Sequence, residues 1–192
     1  NAHFTNLLCA PQFKSAVMPS EFVVLVDEQD QAIGQLEKME AHRLGLLHRA
    51  FSVLIFNSKG ELLLQQRAAH KYHSPLLWTN TCCSHQRPGE TTLMAAERRL
   101  QEEMGMTCTL VKSFDFVYHA ELDNDLIEHE FDHVFFGRTN DLPVINPEEV
   151  FEWKSMKLYD IYIDAQLHPE KYTEWFKIAL PEVMKQFKLQ LV

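Results

Sequence analysis

The densest chemistry in this chain lies at Thr79-Asn80-Thr81-Cys82-Cys83-Ser84-His85, with Glu102-Glu103-Met104-Gly105 following downstream. A thiol and an imidazole stand two positions apart at Cys83 and His85, ahead of paired carboxylates. Thiols and imidazoles move protons or ligate borderline metals, whereas carboxylates hold hard cations. The layout suggests an active site assembled around metal and an anionic substrate.

Such side chains need a scaffold, and the flanking pattern supplies one. A β-branched apolar run at 22–26 ends at the turn-prone Asp27-Glu28-Gln29-Asp30, which reads as a strand. Segments 50–57 and 61–66 flank Ser58-Lys59-Gly60 and predict a β-hairpin. Leu93, Ala96, Leu100 and Met104 recur at helical spacing with Gly105 as the stop, so 92–104 is expected to be a helix with its stripe on a sheet. Two longer β segments follow at 109–119 and 126–138, then a strand near 151–156. Helical patterns close the chain at 158–166 and 169–188, the second interrupted at Pro181. Strands mixed with a few helices indicate an α/β layered domain. Residues 1–17 read as an irregular leader, and Met18 suits either a natural start or an internal methionine, so 18–192 is taken as a single domain.

Composition bounds the function. With 192 residues and 46% hydrophobic side chains, the chain is long enough for one well-buried core and short for two. A formal charge of −9 and a pI near 5.5 argue against broad affinity for nucleic acid or anionic membrane. The sequence contains no apolar run of about 18 residues, and 1–17 lacks the pattern of a secretory signal. Cys9, Cys82, Cys83 and Cys108 show no disulfide framework, and bridging the neighbours Cys82 and Cys83 would strain the ring. A reduced, cytoplasmic protein is expected.

The helix after Cys83 carries a family signal. Against the Nudix box, Gly-x5-Glu-x7-Arg-Glu-hydrophobic-x-Glu-Glu-x-Gly-hydrophobic, the chain offers Ser84, Glu90, Arg98, Arg99, Leu100, Glu102, Glu103, Gly105 and Met106. Ser84 replaces the first glycine and Arg99 replaces the first glutamate of the Arg-Glu pair. Nudix hydrolases gather glutamates around Mg²⁺, so a guanidinium at 99 removes a metal ligand and supplies a diphosphate clamp. An exposed helix face stabilised by Arg99 and Glu103 at i,i+4 spacing is the plainer reading of the same residues.

Further segments point one way. Leu36-Glu37-Lys38 with His42, Leu46 to Ser52, Thr79 to His85 and Glu128-His129-Glu130 together resemble the type 1 isopentenyl-diphosphate isomerases, which have a Nudix fold. The resemblance implies a Nudix-like α/β fold: a mixed β-sheet layered between helices, with an N-terminal β extension. It implies that His42, His48, His85, Glu128 and Glu130 coordinate one divalent metal. Three imidazoles with two carboxylates suit Mn²⁺ or Mg²⁺, and Zn²⁺ also fits. Strand alternation puts Glu128 and Glu130 on one face about 6.6 Å apart, with His129 on the other.

By the same resemblance Cys83 is the catalytic thiol, paired with Glu130, and Cys82 is not. Tyr118 would sit beside the catalytic glutamate and Trp175 would face the carbocation. Lys38, Arg67, Lys71 and Arg99 correspond to the basic anchors of the diphosphate, with Glu103 on a bridging Mg²⁺. Taken singly, a histidine is more often solvated than ligating, and an unpaired cysteine is more often a small buried hydrophobe. The remaining His3, His70, His73, His119, His129, His133 and His168 are read as structural or surface groups. Ser74 and Leu76 stand where relatives carry a bulkier aromatic and a glycine, which bears on the shape of that loop.

The implied reaction converts isopentenyl diphosphate to dimethylallyl diphosphate, with a small isoprenoid diphosphate as partner and a monomer or weak dimer as the assembly. A Nudix pyrophosphohydrolase would keep the helix without needing Cys83. A non-catalytic diphosphate- or nucleotide-binding Nudix module would bind without turnover. An acyl-enzyme cysteine lacks a recognisable oxyanion-hole motif.

Overall fold

The computed structural model describes residues 21–189, so the leader expected at 1–17 lies outside the described residues. Among the described residues a single sheet of nine strands organises the fold. β1 (Phe22–Val26) and β2 (Ala32–Glu37) pair antiparallel at one edge and form the expected β extension. The short helix α1 (Lys38–Leu44) follows at once, capped by the Glu37 side chain and closed by Gly45 at φ 60°.

β3 (His48–Phe56) is the hub. It runs parallel to β8 (Ile127–Arg138) along its whole length and antiparallel to β6 (Cys82–His85). β7 (Leu110–Glu121) lies outside β8, with Tyr118 opposite Glu130. β4 (Glu61–Arg67) pairs with β9 (Val150–Lys157) and with the two-residue β5 (Trp78–Thr79). The turn expected between 57 and 61 is present, yet β3 and β4 share only the register pair Phe56↔Leu62. The expected hairpin therefore splays at once, because each strand finds a longer partner elsewhere.

Alternation along the strands divides the core into two layers. Leu54, Phe56, Leu62, Leu64, Val134 and Phe136 face α3 (Leu158–Leu167) and α4 (Glu174–Leu189). Val53, Ile55, Leu63 and Phe135 face α2 (Thr92–Met104). The sheet is thus held between helices, as the sequence pattern implies. No helix among the described residues is long and apolar enough to cross a membrane.

Two expectations need correction. Leu93 is 39% exposed, and the buried stripe of α2 instead uses Ala95, Ala96, Leu100 and Met104. Pro181 does not interrupt the last helix, since α4 continues through it. Its ring costs one backbone hydrogen bond, and burial of Leu180, Val183 and Phe187 in the core outweighs that loss.

Candidate active site

The site opens where the α3/α4 face of the sheet turns from apolar to polar. His48 and Ser52 precede Leu54 along β3, while Glu128, Glu130 and Asp132 precede Val134 along β8. The parallel register sets His48 beside Glu130, and α1 brings His42 against Glu128 of β8 and the His48 ring of β3. β6 adds His85 opposite Ala50 and Cys83 opposite Ser52. Alternation on β6 also separates the two cysteines: Cys82 is buried in the α2 layer, while Cys83 lines the pocket.

His42, His48, His85, Glu128 and Glu130 converge, offering one ligand atom each within 4.8 Å of one another. His42 Nδ1 lies 2.6 Å from Lys38 O and His48 Nδ1 lies 2.8 Å from Leu46 O. Carbonyls only accept, so both Nδ1 atoms carry the proton and both Nε2 lone pairs face the cluster. His48 Nε2 is 3.2 Å from His85 Nε2, which in turn is 2.7 Å from Glu130 Oε1. His42 Nε2 and Glu128 Oε2 stand 3.4 Å apart, and both are buried without a hydrogen-bond partner. Buried orphaned acceptors are costly, and a divalent cation would satisfy them together. The donor set therefore fits the metal that the sequence implies.

Electrostatics differs among the five: burial works against a charge on His42, yet its contact with Glu128 raises it above its ordinary value, so a metal ion there would have to displace a proton. Burial, with His48 and His42 alongside, holds His85 well below its ordinary value and keeps it neutral, as a ligand must be. Burial works against the charge of Glu130, yet its contacts with His48 and Tyr118 hold the carboxyl down at about 2. Tyr118 Oη donates to Glu130 Oε2 at 2.6 Å. Burial pushes the Cys83 thiol up, so it is protonated at neutral pH.

The pocket continues toward α2. Arg67, Lys71, Arg99, Glu103 and Trp175 line it together with Cys83 and Glu130. Arg99 is no part of an exposed helix face: its guanidinium donates to Glu103 at 2.5 Å and lies 3.2 Å from Glu149. Lys71 pairs with the other oxygen of Glu149. Glu103 also accepts from Gln65 at 2.9 Å, which leaves further lone pairs on its two oxygens for a cation. Arg67 spends two donors on the carbonyls of His73 and Ser74, and its guanidinium lies 5.2 Å from the centre of the Trp175 ring. Lys38 lines an adjoining cleft that shares Ser84, His85 and Arg99 with the pocket, and it pairs with Glu21 at 2.5 Å.

Among the described residues this arrangement combines a cluster able to hold a metal, a half-buried thiol in the same pocket and a basic end. Residues 46–176 match the model of the NUDIX domain family. In fold the chain is similar to a crystal structure of a Deinococcus radiodurans protein, with a TM-score of 0.72 at 19% identity, covering 84% of this chain and 98% of that one. It is also similar to the MutT protein of Methanosarcina mazei, with a TM-score of 0.59 at 21% identity over 75% and 94% of the two chains. The class is therefore that of the Nudix proteins.

Sequence relatives narrow it. The chain is 52% identical to the isopentenyl-diphosphate Delta-isomerase of Pectobacterium atrosepticum, over 89% of this chain and 97% of that protein. It is 51% identical to the enzyme of the same name from Serratia proteamaculans, over 85% and 91%. The chain belongs to the isopentenyl-diphosphate isomerase family of the Nudix superfamily.

Several pocket residues have no site role in the sequence reading, among them Gln65, Tyr72, His73 and Glu149. His73 was set aside as structural or surface, and it is buried against Glu128 and lines the pocket. Glu149 and Gln65 hold the basic end and Glu103 without belonging to any recognised motif. No local pattern marks them, because each acts on a partner distant in sequence. Among the described residues the other histidines lie elsewhere, with His129 Nδ1 on Gly45 O and His133 3.0 Å from Asp30, and His3 lies outside the described residues.

Proposed function

We propose that the chain converts isopentenyl diphosphate to dimethylallyl diphosphate, using Cys83 and Glu130 as the two proton-transfer groups. The observation that carries this is the sharing of one pocket by Cys83, the Tyr118-bonded Glu130 and Trp175. A proton adds to the terminal methylene of the alkene, which leaves a tertiary cation at the branched carbon. Loss of a proton from the methylene between that carbon and the diphosphate-bearing one then forms the new double bond. Each group acts as acid in one direction and base in the other, because the reaction is reversible. Tyr118 holds the Glu130 carboxyl toward the substrate and relays its proton.

Trp175 offers an indole face to the cation, worth about 2 kcal/mol when desolvated. Arg99, Lys71, Arg67 and, from the adjoining cleft, Lys38 bind the diphosphate. His42, His48, His85, Glu128 and Glu130 would hold Mn²⁺, Mg²⁺ or Zn²⁺, and Glu103 would hold Mg²⁺ against the diphosphate. Bound there, these ions supply acidity at the Glu130 carboxyl and charge neutralisation at the diphosphate. We read residues 18–192 as one such domain, acting in the cytoplasm as a monomer or weak dimer; the free thiols of Cys82, Cys83 and Cys108 support the reducing compartment.

Proton NMR of isopentenyl diphosphate with the chain and Mg²⁺ in D₂O tests the reading. The expected result is deuterium-labelled dimethylallyl diphosphate, absent with Cys83→Ala. Release of phosphate instead would make the chain a hydrolase.

A further inference from the structure

The loop between β4 and β5 is strained, and the strain has a visible purpose. Ser74 and Leu76 adopt φ 48° and 58°, a left-handed conformation that side-chain-bearing residues disfavour. Arg67 holds the loop by donating Nη2 to His73 O at 3.1 Å and Nε to Ser74 O at 3.2 Å, while its own carbonyl accepts from Leu76 N. This backbone turns the His73 imidazole inward, where it is 3% exposed. Its Nε2 lies 3.2 Å from Glu128 Oε1, and its ring meets that of Trp175 edge-on at 5.6 Å.

His73 is not one of the five converging ligands. It stands behind one of them, opposite the oxygen that faces His42. Groups in that outer position orient a ligand and tune its affinity for metal. Its other nitrogen is 3.4 Å from the Ser74 hydroxyl, so with Ser74 donating there, the imidazole proton sits on Nε2 and points at Glu128.

We propose that His73 is a positioning residue that ties the Glu128 carboxylate to the Trp175 indole, coupling metal affinity to the placement of the aromatic wall. This rests on the isomerase reading and its metal cluster. Glutamine at 73 keeps a donor near Nε2 and loses the ring; asparagine ends near Nδ1 and loses both.

Mn²⁺ binding, followed by the electron paramagnetic resonance of the free ion, separates these cases. His73→Asn is expected to weaken Mn²⁺ about tenfold or more and to lower kcat with little change in KM. His73→Gln is expected to restore Mn²⁺ affinity to within about threefold, while the tryptophan emission that disappears in Trp175→Phe remains shifted. Wild-type Mn²⁺ affinity in His73→Asn, or unchanged emission in His73→Gln, would overturn the proposal. If the unsubstituted chain and His48→Ala bind Mn²⁺ alike, the metal cluster itself is refuted and this coupling with it, a result that differs from failure of His73 alone.

Discussion

At the His/Glu end of the pocket, His42 Nε2 and Glu128 Oε2 are buried with no hydrogen-bond partner, whereas at the basic end Arg99 and Lys71 are already matched by Glu103 and Glu149. One end is short of a cation and gains its missing partner when one arrives. The other already pairs its charges, although Arg99 Nε is buried there without a hydrogen-bond partner, so an anion must share or displace existing ion pairs as it takes that donor. Binding at that end is then a difference between two sets of charge contacts, and mutations can move it in either direction. Cys83 lines the same pocket and takes part in neither set of contacts.

The largest effects should fall on the two proton-transfer groups, of which Glu130 also belongs to the converging His/Glu cluster and Cys83 does not. Cys83→Ala and Glu130→Gln are each expected to lower kcat by about 10³-fold or more, checked by the NMR assay alongside an unchanged circular-dichroism spectrum. Cys83→Ala should leave KM nearly as it was; a parallel rise in KM would place Cys83 in binding and blur the division. Tyr118→Phe removes one hydrogen bond to a charged carboxylate, so a loss of about 10- to 100-fold in kcat is expected. Activity equal to wild type in Tyr118→Phe would leave the phenol as packing only.

Arg99→Ala addresses the basic end directly. Truncation removes the cation and leaves Glu103 to its Gln65 hydrogen bond and Glu149 to Lys71. KM for isopentenyl diphosphate should rise about tenfold or more with a smaller fall in kcat. If kcat falls and KM holds, the guanidinium acts on the transition state and the ends are not divided as the geometry suggests.

How much of this was legible in the sequence follows the same division. The convergence of His42, His48, His85, Glu128 and Glu130 was, through the family resemblance of the separate motifs that carry them, and the structure brings all five together. α2 was legible to its last residue, because Thr91 caps its start and Gly105 at φ 63° closes it. β5 and β6 were not, since strands of two and four residues carry no periodic signal and exist only through pairing with β4 and β3. The companions at the basic end were hidden for a related reason. Glu149 precedes β9 and meets Lys71 and Arg99 only after the sheet has folded, and an acid in a Glu-Glu pair before a strand looks solvated. Pro181 misled because its cost was read locally, while the burial that offsets it is tertiary.

Glu149 therefore gives the smallest and most discriminating test. Burial opposes its charge, but Arg99 and Lys71 overcome that and hold the carboxyl below its ordinary 4.5. A carboxyl depressed in the fold contributes stability above its unfolded value, and that contribution is lost as pH falls through the folded value. Glu149→Gln should thus cost about 1 kcal/mol in urea unfolding at pH 7, with the difference from wild type shrinking as pH is lowered below 4.5. The amide still accepts hydrogen bonds yet no longer competes as an anion for Arg99 and Lys71. Inorganic pyrophosphate should then bind up to about threefold more tightly, opposite in sign to Arg99→Ala. Weaker pyrophosphate binding in Glu149→Gln would mean that the carboxylate places the two cations more than it competes for them, and the basic end would be a preformed cradle like the His/Glu end.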